Sequence, residues 1–220
     1  MDFLKSSIGK KYLMGFAGLV WTGFVAGHMA GNLLIFAGPE AFNRYGHAIV
    51  SNKPLLIGTE VALTLALVTH VILGILLTIQ NKAAKPQKYA VGASKQKQPS
   101  TASKTMAIHG TIVLAFIIYH LITFKWGAYY EVTYGDETMR DLHRLVLEVF
   151  RDPKYVFGYI ICLVLLGIHL SHGASSVFQS LGINHPSYTP IIKKAGWVYA
   201  LVVSAGFISQ PLYVFLCEVQ

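Results

Sequence analysis

Charge is scarce in this chain. Only 13% of its 220 residues are Asp, Glu, Lys or Arg, about half the ~25% usual in a soluble domain. So little charge excludes a disordered chain, which combines low hydrophobicity with high charge. It also excludes an ordinary nucleic-acid binder, despite a formal net charge of +8. Cysteine is almost absent: Cys162 and Cys217 are the only two. With no C-x-x-C and no C-x-x-C-H, neither a zinc site nor covalent haem attachment is indicated, and iron–sulfur clusters have no ligand set. No G-x-G-x-x-G fingerprint opens a soluble helix. Proline stays out of the long apolar runs, except for Pro211 near the end of the last.

What the chain has instead is apolar sequence, 54% of the residues. A helix needs about 20 apolar residues to cross the hydrocarbon core at 1.5 Å rise each. Five segments meet this, at about 12–37, 55–80, 105–130, 155–180 and 195–217. The expected fold is an all-α membrane bundle forming a single domain over 1–220, with no room for a soluble domain. The first run follows Lys5, Lys10 and Lys11 but far exceeds the roughly 7–15 residues of a signal h-region, so it reads as retained. The segment 81–104 has the composition of a flexible connector. In 131–154, the spacing of Leu142, Leu145, Val146 and Val149 predicts a short helix lying on the outer surface.

Basic residues give the expected orientation. The N-terminus and the segments 81–104 and 181–194 carry eleven Lys against one acid, Asp2. The opposite side carries seven basic residues and the other nine acids. The positive-inside rule puts the N-terminus in the cytoplasm and the C-terminus outside. The expected location is the inner (cytoplasmic) cell membrane, crossed several times.

Four of the nine histidines lie deep in separate spans: His28, His70, His120 and His169. Ionisable side chains inside a bilayer are costly and usually functional. His28 and His120 sit in outward-running spans and fall in the outer half; His70 and His169 sit in inward-running spans and fall in the inner half. The levels differ by several Å. Two pairs of neutral imidazoles on facing helices, without cysteine or carboxylate nearby, suit two b-type haems with bis-histidine ligation. Zinc would need four ligands in one shell.

His70 and His169 each stand four residues before a glycine, Gly74 and Gly173, and His28 has Gly27 and Gly31 beside it. A glycine at i+4 shares the histidine's face and leaves room for a flat ring; close helix packing is the other reading. His120 lacks this glycine. His172, one turn past His169, competes with it as a ligand. His109 lies near the cytoplasmic end of the third span, within reach of a haem propionate, while His143 and His185 read as loop residues.

Five spans, these four histidines, H-x-x-x-G in spans two and four, and the run H-L-S-H-G-A-S-S-V-F-Q-S-L-G at 169–182 resemble the single-chain, di-haem cytochrome b subunit of succinate dehydrogenase/fumarate reductase. The likeness covers essentially the whole chain. It implies that His28 and His120 ligate the distal haem iron, and His70 and His169 the proximal one. It implies a flavoprotein subunit bearing FAD and an iron–sulfur subunit on the cytoplasmic face, electron exchange with membrane quinone (menaquinone in most such members), and no contact with the dicarboxylate. A dimer of the whole complex stays open.

The family places quinone near the distal haem and the first outer loop. Here that region offers Asn43, Arg44, Tyr45, His47 and Glu60; Arg44 equally suits a haem propionate. Some fumarate reductases of the family carry a glutamate two residues before the fourth-span ligand. Gly167 stands there in this chain, which favours succinate oxidation. Two rivals are a di-haem anchor of another dehydrogenase or hydrogenase, and a small proton-coupled transporter. The transporter would want carboxylates at mid-membrane, and the chain has none there.

Overall fold

A computed structural model describes residues 6–83 and 101–217. Five helices are long and apolar enough to cross a membrane: Ser7–Ala37, Lys53–Ala83, Lys104–Lys125, Pro153–Ser180 and Thr189–Cys217. The protein is thus a predominantly helical, multi-pass membrane bundle. The spans comprise α1 (Ser7–Asn32, prolonged by a 3-10 turn at Leu33–Ala37), α3 (Lys53–Ala83), α4 (Thr101–His120, prolonged by a π-helical turn at Leu121–Lys125), α6 (Pro153–Ser180) and α7 (Thr189–Cys217). Most of the expected connector over 81–104 lies outside the described residues.

Between the spans, at one end of the bundle, lies a cap that the sequence reading treated mostly as loop. It contains α2 (Pro39–Ser51), a hairpin of β1 (Glu131–Tyr134) and β2 (Glu137–Arg140), and α5 (Leu142–Phe150). Local chemistry explains each piece. Gly38 takes φ +97° and Pro39 opens α2 at its first turn, where proline's missing N–H costs nothing. The strands pair antiparallel, Tyr134 opposite Glu137, across a two-residue turn in which Gly135 adopts φ +64°. Asp141 caps α5 by accepting from Arg144 N, and Asp152 caps α6 by accepting from Lys154 N beside Pro153.

Helix α5 is where the apolar spacing placed it, but its stripe faces inward: Leu145, Val146 and Phe150 are buried, and Val146 and Phe150 join Ile35, Phe42, Tyr159 and Val214 in one core cluster. The third span is shorter than its predicted 105–130. Trp126 N donates to Leu121 O (3.0 Å), closing the π-helical turn. The chain then doubles back at Gly127, where a Cβ would collide with the Thr123 carbonyl oxygen. Only glycine permits that approach.

Helix α6 packs along α7 and also touches α1 and α4, while α3 leans on α1 and meets α4 little. Small residues draw α6 and α7 together. Gly167 takes the Ser204 side chain, whose hydroxyl donates to Leu163 O (3.0 Å), and Gly196 takes Ser175. The acid position that Gly167 occupies by resemblance is here a helix-packing contact.

One charge cluster ties α5 to the residue preceding β1. Arg144 pairs with Glu148 (3.0 Å) and stacks over the Tyr130 ring at 4.0 Å. The Tyr130 hydroxyl, then the Arg144 guanidinium, hold the Glu148 carboxyl below the usual carboxylate range. A depressed carboxylate stabilises the fold above its unfolded pKa, and that contribution is lost as pH falls through the folded value. Once the intrinsic exchange rate, which itself slows in acid, is divided out, the protection of the α5 amides should therefore fall as pH drops from above the ordinary glutamate pKa through the lowered folded value. In Glu148→Gln it should be pH-insensitive over that window; equal pH response in both proteins would refute the link.

Candidate functional site

Helices α1, α3, α4 and α6 surround a cavity of about 1700 Å³. Ligand sites usually measure about 300–1,000 Å³, so this one has room for more than one large group. Interiors are otherwise close-packed, and an apolar cavity of this size marks a binding space. His28, His70, His120 and His169 all line it.

The four meet as two couples. The ring centres of His28 and His120 lie 5.8 Å apart with planes at 87°. Those of His70 and His169 lie 6.1 Å apart at 68°. Each couple thus brings two imidazoles from facing helices close enough that both could hold one metal-centred group. Among the described residues no cluster of three or more His, Cys, Asp or Glu converges on a point, which speaks against a tetrahedral zinc shell. The donor sets fit bis-histidine haem.

Two glycines that the sequence reading passed over set the heights. A Cβ at Gly18 of α1 would lie 3.2 Å from His70 Cε1, and one at Gly110 of α4 would lie 3.5 Å from His169 Cε1. Each inner ring thus packs against a glycine ten residues before an outer histidine on the same helix. At 1.5 Å per residue the two couples stand about 15 Å apart along the bundle, more than the several Å expected. The signal was in the sequence as a repeat: Met14, Gly18 and His28 in α1 recur at the same spacing as Met106, Gly110 and His120 in α4.

Each ring is steered by neighbours. His70 Nδ1 lies 3.2 Å from the Met14 carbonyl oxygen, His120 Nδ1 lies 3.4 Å from the Tyr159 hydroxyl, and His28 stacks on Phe24 with the Asn32 amide 3.4 Å from its Nδ1. A backbone carbonyl on the second ring nitrogen, as at His70, fixes the tautomer that leaves Nε2 free to bind metal. Among the described residues, His169 Nδ1 is buried with no hydrogen-bond partner, and so is His109 Nδ1.

The remaining candidates divide. Gly74 and Gly173 line the cavity, and a Cβ at either would meet nothing within 4 Å; they face open space, not a neighbouring helix. Gly31 is buried against the Tyr45 ring, which occupies the place of its missing Cβ. His172 lines the cavity half-buried, but the ring set against His70 is that of His169.

Of the quinone candidates, Tyr45 and Glu60 line the cavity. Glu60 pairs there with Lys125 (2.6 Å), another lining residue. Asn43 is buried in the cap, donating to Tyr134 Oη and Asp141 Oδ1 and accepting from His143 N. Arg44 binds Glu40 (2.8 Å) and Glu137 (2.6 Å). His47 sits on α2 apart from the cavity wall, with its carbonyl accepting from Ser51. No protein-family model, no curated protein and no solved structure matches this chain.

Proposed function

We propose that the chain is the membrane-anchor cytochrome b subunit of a succinate:quinone oxidoreductase. In this reading it carries electrons between an iron–sulfur subunit on the cytoplasmic face and quinone in the bilayer. The observation that supports it most is the meeting of four intramembrane histidines as two facing couples at two heights in one apolar cavity. His28 with His120, and His70 with His169, would each hold one b haem, which when bound supplies reversible one-electron transfer. The chain's own residues fix ring orientation and exclude water: the Met14 carbonyl and Gly18 position His70, Tyr159 and Phe124 pack on His120, and Phe24 backs His28.

The assignment to succinate chemistry, with its flavoprotein and iron–sulfur partners, rests on the family resemblance. So do menaquinone as the quinone and succinate oxidation as the direction. Tyr45, Glu60 and Lys125 offer a donor, a proton acceptor and a cation on the cavity wall at the capped end, where a quinone head group would need them. The Lys-rich end then faces the cytoplasm, in keeping with the positive-inside rule.

Protein purified from membranes should contain two haems per chain by the pyridine haemochrome assay. A value near zero would refute the haem reading, and one haem per chain would refute the two couples. Affinity purification in mild detergent should bring down a flavoprotein and an iron–sulfur protein with succinate dehydrogenase activity. A different dehydrogenase in their place would keep the haems and overturn the succinate assignment.

A further inference from the structure

The two halves of the bundle seat His70 and His169 alike, each on a glycine, but steer the two rings differently. In the first, His70 packs on Gly18 and directs Nδ1 to the carbonyl of Met14. In the second, His169 packs on Gly110, with Met106 four residues earlier as the counterpart of Met14. Yet His169 Nδ1 reaches no carbonyl; it stands 4.0 Å from the Gly110 Cβ position, against 3.3 Å for His70 Nδ1 at Gly18. The residue just before the glycine also differs. In α1 it is Ala17, and in α4 it is His109, with each buried.

His109 is only 7% exposed, and its Nδ1 is the other unpartnered imidazole nitrogen. It lies within electrostatic range of His169. A buried polar atom left without a partner is costly, because it has given up water for nothing. Two such atoms lie on neighbouring helices, one on the residue that precedes Gly110 and the other on the ring packed against that glycine; two imidazoles can satisfy each other, one donating and one accepting, and one water supplies both roles when the rings do not touch.

We propose that His109 is the positioning residue of His169, joined to its Nδ1 through one water and taking the role that the Met14 carbonyl plays for His70. The inference rests on the haem reading above, because its consequence is the orientation and basicity of His169 as a ligand. Partners of this kind fix the ligand's tautomer and raise its basicity, and their loss typically costs about 10–100-fold in affinity for the bound centre. A less basic ligand favours the reduced metal. His109 would therefore act on the inner centre alone, since the outer couple is steered by Tyr159 and Asn32.

The test uses full-length protein carrying His109→Leu or His109→Gln, with haem content, a redox titration and low-temperature electron paramagnetic resonance as readouts. In His109→Leu the inner centre should titrate at a higher potential with shifted low-spin g-values, or need roughly tenfold more haem to reach half-occupancy. The outer centre should be unchanged. His109→Gln, which keeps a hydrogen-bonding side chain, should restore most of the wild-type behaviour. Unchanged potentials and spectra in His109→Leu, or equal changes at both centres, would overturn the role of His109 while leaving the two-haem reading intact. Loss of both centres in the Leu and Gln variants alike would make His109 a packing residue and also overturn it. Failure of the haem reading itself shows separately, as wild-type protein without haem.

Discussion

Replacing His70 with alanine should remove one haem per chain and spare the other. The haemochrome value falls from two to one, and the remaining low-spin signal is that of the outer couple. The expectation follows from the separation of the couples. His70 meets only His169 among the four, and about 15 Å of helix divides them from His28 and His120. The His70 ring is tightly placed, with its Nδ1 on the Met14 carbonyl and Gly18 at its edge, so no other side chain on α3 stands ready to replace it. His172 lies nearby on α6 but on the same helix as His169; it cannot supply the missing ligand from the opposite wall. Retention of both haems would refute His70 as a ligand. Loss of both in equal measure would show that the two sites do not assemble independently.

Asn43→Leu should destabilise the cap by about 3–4 kcal/mol, measured by chemical unfolding in detergent. Asn43 is 1% exposed, and its amide joins three elements: its NH2 donates to Tyr134 Oη (3.2 Å) and Asp141 Oδ1 (2.9 Å), and its oxygen accepts from the His143 backbone N–H (2.8 Å). Leucine has the same number of side-chain heavy atoms but offers none of these bonds. The His143 N–H loses its partner in a buried setting, and the Asp141 carboxylate, which also caps α5, loses a donor. Tyr134→Phe, which removes only the longest of the three bonds, should cost about 1 kcal/mol. Hydrogen exchange should locate the loosening in the hairpin and the start of α5. If Asn43 instead contacts quinone directly, Asn43→Leu would lower quinone turnover with stability nearly unchanged, and that result would refute its role as the cap's tie.

Much of the site was legible one span at a time. A histidine inside an apolar run is visible wherever it falls, and counting residues from the ends of alternating spans assigns each to an upper or a lower level. That reasoning pointed to the couples that the folded chain brings together. It missed Gly18 and Gly110, because their function is to receive a ring from another helix, and nothing in their own spans requires them. It placed Asn43 and Arg44 near quinone because they lie in the first outer segment. Folded, one is a buried hub and the other an ion-pair partner of Glu40, one turn away, and of Glu137; the Asn43–Asp141 and Arg44–Glu137 contacts span 98 and 93 positions. The cap was read as loop for a related reason. Helix α2 buries few residues, Phe42 and Asn43 among them, and its burial depends on α5 and the hairpin arriving from the far side of two spans.

The sequence by itself determined that this chain crosses a membrane five times, and which polar groups it carries inside. Each span must satisfy its own backbone hydrogen bonds and match the hydrocarbon with its own side chains, so span number and content are local properties. Only the tertiary structure decided which faces meet. The rotation of each helix about its axis is set by packing against its neighbours, small residues allowing the closest approach. In this chain that packing turned four separate histidines into two couples about 15 Å apart. It also left the buried His169 Nδ1 without a hydrogen-bond partner among the described residues, where His70 Nδ1 meets the Met14 carbonyl.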